Sequence, residues 1–228
     1  MAMILNKVIP FGRSMDEYVH MFNLTLDDLE KKLVGVGDGP ASFNAELART
    51  GGSVTSVDPL YEFSADAIRM QFYRVVDNVM DQVEASPNDW TWTYHGSPEQ
   101  LRKNRTHVIE TFAADFTSGK INGRYVTGSL PALPFQDDQF DLALCSHFLF
   151  LYSDHFDMNF HYKSIREILR IAKEARIFPL LTLMGKPSSH LGIIIDLLIA
   201  DGYTTDIQQT GYELQRGGNE MLVVRRSD

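Results

Sequence analysis

Apolar and polar positions along the chain follow two different periods. Residues 33–36 are a short apolar run stopped by glycines, and residues 53–58 are a β-branched, alternating run stopped by Pro59; both read as parallel strands. Between them, residues 41–50 place Phe43, Leu47 and Ala48 at helical spacing and end at Gly51-Gly52, a helix stop. Over residues 65–83, Ile68, Phe72, Val75, Val79 and Val83 recur every three or four positions, which marks one face of a long helix ending before Pro87. Upstream, Ser14 with Glu17 and Thr25 with Asp28 have the spacing of capping boxes and predict two short helices.

Beyond Pro87 lies a polar, aromatic stretch with Trp90, Trp92, Tyr94 and His95, and Ser97-Pro98-Glu99-Gln100 then opens another helix. The remaining pattern predicts strands at about 124–127 and 140–146, a helix at about 164–173, a strand at 175–183 and a helix at 188–200. Residues 203–209 and 221–225 read as two strands joined through a Gly217-Gly218-Asn219 turn, hence an antiparallel hairpin. The expected fold is therefore α/β: a doubly wound, mostly parallel seven-stranded sheet with an antiparallel last strand.

A chain of 228 residues with 44% apolar side chains is expected to form one domain spanning 1–228, with a helical N-terminal segment at about 10–32 and a helical, aromatic insertion at about 62–118. The formal charge of −9 disfavours broad contact with nucleic-acid phosphates or anionic membrane, so a small-molecule partner is expected. One cysteine, Cys145, cannot form an internal disulfide, and the N-terminus lacks the order of a signal peptide, which points to the cytoplasm. The apolar stretch 191–200 is interrupted by Asp196 and is about half the ~20 residues of a membrane span.

The sharpest chemical signal is the turn Val34-Gly35-Val36-Gly37-Asp38-Gly39-Pro40-Ala41, placed directly between a strand and a helix. Glycines allow a tight turn and a close ligand approach, and Asp58 ends the next strand, where a carboxylate can accept both hydroxyls of a ribose. Together these point to a nucleoside cofactor.

With these residues the chain resembles the class I S-adenosylmethionine-dependent methyltransferases, type 11-like, from about residue 33 to the C-terminal hairpin. Residues 128–141 are similar to that family's run from the adenine-contacting turn into the fourth strand, and residues 142–152 to its substrate-facing motif. The resemblance implies a Rossmann-like fold, S-adenosyl-L-methionine as cofactor and methyl transfer to a small-molecule acceptor. It implies that Gly37 and Gly39 pass the methionyl part, Asp58 holds the ribose, Ser129 and Leu130 border the adenine, and Gly35 and Ser146 also belong to the cofactor-binding set. It also implies a lid over the cofactor from the N-terminal helix, with Arg13 on the methionyl carboxylate and Tyr18 nearby. The chain departs from the pattern at Gly35 and Ser129, where many members carry acids, and at Ala41, the position of the third glycine.

His147, just past the fourth strand, is the first candidate for a base or substrate contact, and Tyr152 the second. The Trp90 to His95 aromatics either wall an acceptor or pack the long helix. Arg102, Lys103 and Arg105 follow them, which leaves open an RNA or protein acceptor, and the departures leave open a binder of the cofactor without turnover. His107, His155, His161 and His190 lack metal-ligand spacing, and no metal is expected.

Overall fold

The computed structural model describes residues 10–226. Seven strands, β1 (Leu33–Val36), β2 (Val54–Val57), β3 (Tyr125–Val126), β4 (Phe140–Ser146), β5 (Ala172–Phe178), β6 (Tyr203–Gln209) and β7 (Glu220–Arg226), form one sheet in the order β3-β2-β1-β4-β5-β7-β6. All pairings are parallel except those of β7, which runs antiparallel to both β5 and β6. The chain winds outward from β1 through β2 to β3 and then returns to place β4 on the other side of β1. That reversal opens a crevice beyond the carboxyl ends of β1 and β4, where an open α/β sheet binds its ligands.

Strand alternation divides the interior in two. Leu33, Leu142, Leu144 and Val223 point to one face, where α1 (Met15–Phe22), α3 (Phe43–Arg49), α4 (Ala65–Ala85) and α5 (Pro98–Ile121) supply Phe22, Phe43, Phe72 and Phe112. Val34, Ala143, Cys145 and Ile177 point to the other, covered by α6 (Met158–Ile171) and α7 (Leu191–Ala200) through Ile165, Ile168, Ile194 and Leu198. Each large apolar side chain so buried contributes about 1.5–3 kcal/mol. The central strands β1 and β4 carry few polar residues because both faces of the sheet are covered there. Among the described residues, no helix is long and apolar enough to cross a membrane.

Both capping boxes form as expected, at Ser14 with Glu17 ahead of α1 and at Thr25 with Asp28 ahead of α2 (Leu26–Leu29). Ser97 caps α5 through the Gln100 amide, with Pro98 in the first turn. Several boundaries differ from expectation, beginning with α6, which starts at Met158 and not near 164. The chain passes from α6 at Ile171 directly into β5 at Ala172, already extended at φ −136° and ψ 150°, with no turn residue to mark the change. β5 then ends at Phe178 rather than near 183, because Pro179 has no N–H to continue the ladder. The hairpin also differs: β6 and β7 pair as expected, but residues 210–219 form a folded loop instead of a three-residue turn. That loop is tied to residues 88–91 by the Thr91 amide on the Leu214 carbonyl (2.8 Å) and by Arg216 on the carbonyls of Asn88 and Trp90 (2.8 and 2.9 Å).

Candidate functional site

β1 delivers the glycine turn to the crevice, with Gly37 and Gly39 at φ +66° and +51°. Gly35 does something else. A Cβ there would lie 2.4 Å from the Asp38 carboxylate, so the missing side chain at 35 is the space into which Asp38 folds back. Asp38 is buried, accepts hydrogen bonds from Ser56 Oγ (2.5 Å) and the Tyr18 hydroxyl, and is pushed up to about 6 by burial against those two hydrogen bonds. Tyr18 therefore stands behind Asp38, its ring stacked on Phe43 at 4.5 Å, and does not reach the cleft wall where the lid expectation put it. Gly35 likewise shapes the site from behind.

Asp58 lies at the end of β2, and its two oxygens accept the amides of Leu60 (2.7 Å) and Gly39 (2.9 Å). Burial raises its carboxyl to about 6, with those amide bonds opposing the rise. Asp58, Gly37, Gly39, Asp38, Ser129, Leu130, Ser146 and His147 all border one cleft of about 510 Å³. Beyond Ser129 and Leu130 the cleft is walled by Phe148, Phe156 and Phe160, the last two stacked at 4.4 Å. A strap of residues 10–13 crosses the glycine turn: the Ser42 amide bonds the Arg13 carbonyl at 3.0 Å, and a Cβ on Gly12 would fall 2.1 Å from the Pro40 carbonyl oxygen.

Behind the strap lies a second, smaller cavity of about 110 Å³. Phe11, Arg13 and His147 border both spaces and so mark where they meet. Tyr152 also borders the inner cavity, whose other walls include Val79 and Val83 of α4, Trp90, Leu101 of α5 and Leu214 of the 210–219 loop. Both candidates for contact with an acceptor thus reach the same cavity. His147 sits at φ +51°, a left-handed conformation uncommon without glycine, held by its amide on the Phe178 carbonyl at 2.6 Å. Its Nδ1 is 2.9 Å from Ser146 Oγ. Burial, together with the charges of Arg13 and Arg105, holds the imidazole well below its usual range, so it is neutral.

The polar end of the inner cavity is a buried cluster that composition alone does not reveal. Glu17 of α1 takes a bidentate pair from Arg105 of α5, both contacts at 2.7 Å, and also accepts from the Tyr212 hydroxyl (3.0 Å) and the Ser14 amide (2.9 Å). His95 Nε2 lies 3.1 Å from the Tyr212 hydroxyl and 3.4 Å from Glu17. Burial opposes ionisation of Glu17, but the Arg105 charge and the hydrogen bonds from His95 and Arg105 hold it well below the usual carboxylate range. Arg13 approaches Glu17 at 4.0 Å and donates Nη1 to the carbonyls of Phe11 and Gly12, while its buried Nε has no hydrogen-bond partner.

These contacts reduce the basic patch. Arg105 is buried on Glu17 and leaves the surface, while exposed Arg102 and Lys103 pair with Asp77 and Glu99. Trp90 both packs in the core and walls the inner cavity. Sequence reasoning missed Asp38, Gly12, Glu17 as an ion-pair partner, and Tyr212. Only Asp38, inside the glycine turn, carried a signal that could have found it. Among the described residues, no three His, Cys, Asp or Glu side chains gather as metal ligands would.

The sheet order with its antiparallel seventh strand is the Rossmann-like methyltransferase fold. The chain belongs to the family of Uncharacterized protein MJ0045 of Methanocaldococcus jannaschii, with which it shares 34% identity over 223 residues, 97% of this chain and 98% of that protein. No family model matches the chain. Among solved structures, magnesium protoporphyrin IX methyltransferase (ChlM) from Synechocystis PCC 6803 with bound SAM is similar over 93% of this chain and 78% of its own, with a TM-score of 0.50 and 14% identity. The mitomycin 7-O-methyltransferase MmcR is similar over 93% of this chain and 54% of its own, with a TM-score of 0.50 and 12% identity. At those identities the likeness is one of fold.

Proposed function

We propose that the protein is an S-adenosyl-L-methionine-dependent methyltransferase that acts on a small-molecule acceptor. The observation that carries this reading is the single cleft at the β1/β4 reversal that gathers the glycine turn, Asp58, Ser129 and Leu130. The cleft suits such a cofactor in shape and charge. A Cβ at Gly37 would come within 3.1 Å of the Phe148 ring, so the turn is a cradle that a side chain would fill. Each Asp58 oxygen accepts one backbone amide and keeps capacity for a ribose hydroxyl. Asp38 supplies a carboxylate for the methionyl ammonium, in place of the acid absent at Gly35. Ser129 and Leu130, with Phe156 and Phe160 beyond, border the adenine. ChlM, of the same fold, was crystallised with SAM.

When bound, the cofactor supplies a methyl group on a sulfonium, a good leaving group. The chain's residues are left to position the acceptor and exclude water. The strap, within the proposed lid of residues 10–32, covers the junction of the two spaces. The insertion of residues 62–118 supplies Val79, Val83, Trp90 and Leu101 to the inner cavity, the proposed acceptor site. His147 and Tyr152 contact the acceptor there. Neutral His147 acts as a hydrogen-bonding group and is a weak base at neutral pH, since burial disfavours its protonated form.

Side-by-side calorimetric titration with S-adenosylmethionine, S-adenosylhomocysteine and NAD tests the reading. Micromolar binding of the two sulfur nucleosides without NAD is expected, together with its loss in Asp58→Ala. Unchanged affinity in that variant would remove Asp58 from the site.

A further inference from the structure

The buried cluster at the polar end of the inner cavity is unbalanced. Arg13 and Arg105 bring two guanidinium charges to it and Glu17 one carboxylate. The neighbouring groups do not make up the difference: burial keeps His95 and His147 low and the Tyr212 phenol high, so all three are neutral at pH 7. Arg105 is fully engaged by Glu17, Asn104 and Tyr212. The surplus therefore rests on Arg13, whose side chain is 12% exposed and whose Nε, 4.0 Å from Glu17, lacks a hydrogen-bond partner. An uncompensated charge in so enclosed a place is costly, and a ligand anion relieves it.

Arg13 stands where the two spaces meet, and behind it Val79, Val83, Trp90, Leu101 and Leu214 give the inner cavity an apolar wall opposite its polar end. We propose that the acceptor is a small carboxylic acid with an apolar body, its carboxylate on Arg13 and its body between Val83, Trp90 and Leu101. The inference rests on the methyltransferase reading and adds the class of acceptor. A planar guanidinium fork matches a carboxylate, and one surplus charge matches a monoanion better than a phosphate dianion. A carboxylate also arrives ionised at neutral pH, so the site need hold no base, in keeping with neutral His147.

The test is calorimetric titration of the S-adenosylhomocysteine-loaded protein with benzoate, cinnamate and hexanoate, each against its carboxamide. At least one acid is expected to bind about tenfold or more tighter than its amide. Arg13→Gln is expected to remove that preference, and Arg13→Lys to keep part of it. Leu151→Trp, which fills the inner cavity from a partly exposed wall position, is expected to abolish acid binding and spare the nucleoside. Acids that bind no better than amides, or not at all at millimolar concentration, would overturn the proposal. So would an Arg13→Gln variant that loses S-adenosylhomocysteine affinity and keeps the acid preference, because the guanidinium would then serve the cofactor's own carboxylate. Failure of the wild-type protein to bind S-adenosylhomocysteine overturns the methyltransferase reading itself, which is a separate result.

Discussion

At the scale of single residues, the exchange between positions 35 and 38 has consequences that pH can expose. The Asp38 carboxyl, folded into the space left by Gly35, is pushed up to about 6 by burial, whereas an unfolded Asp titrates near ~3.9. Its folded value is the higher one, so its favourable contribution is complete below the unfolded value and is lost as pH rises through about 6. Asp38→Asn should therefore gain stability over the native protein between pH 4 and 7, by up to about 3 kcal/mol, as followed by denaturant unfolding at each pH. The native carboxylate becomes favourable when a cation meets it. Because Asp38 and Asp58 both titrate at about 6, S-adenosylmethionine affinity should fall as pH is lowered through 6, and the dependence should weaken in Asp38→Asn. A flat affinity from pH 5 to 7.5 would show that neither carboxylate meets the ligand.

At the scale of elements, α1 is held to the rest of the molecule by the buried side chains of Tyr18, Met21 and Phe22 and by one buried ion pair. Glu17 closes its own capping box and, from the same side chain, binds Arg105 in the second turn of α5. Removing one partner leaves a buried charge, so Glu17→Gln should cost about 3–5 kcal/mol, while replacing both partners, as in Glu17→Leu with Arg105→Met, should cost much less. A double-mutant cycle in urea measures the difference. Glu17 is depressed in the fold, so its contribution is present above the unfolded value near ~4.3 and lost as pH falls towards the folded one. Ser14 and Glu17 announced the helix, because capping is local and its spacing is written in consecutive residues. They could not announce Arg105, because that partner lies 88 positions away and an arginine in a polar stretch reads as solvated surface. The carboxyl end of the strand after α6 lies earlier than expected for a related reason: Leu180 and Leu183 continue an apolar run, but Pro179 ends the ladder, after which Leu180 packs in the α6-side core and Leu183 lines the inner cavity. The glycine turn and Asp58 were legible because ligand geometry ties them to strand ends. The inner cavity was not, since its walls come from α4, α5, the segment after β4 and the 210–219 loop, which only tertiary packing brings together.

At the scale of the whole molecule, the sheet separates two interiors with different duties. Ile168 of α6 is fully buried on the face away from the inner cavity, in the cluster with Ile165, Ile194 and Leu198. Leu101 of α5 is equally buried on the opposite face but also lines the inner cavity. Truncating either to alanine should cost about 2–5 kcal/mol of stability through lost burial and an unfilled hole. Binding should separate them. Ile168→Ala leaves every cavity-lining side chain in place, so the native fraction should bind S-adenosylhomocysteine and acids as before. Leu101→Ala joins its hole to the inner cavity, so bulkier acids should gain affinity over smaller ones while S-adenosylhomocysteine, bound across the strap, is unaffected. Thermal melts with and without each ligand distinguish the two variants. Equal shifts in acid selectivity from both would mean that the sheet does not insulate the inner cavity and that the acceptor site extends to the α6 face.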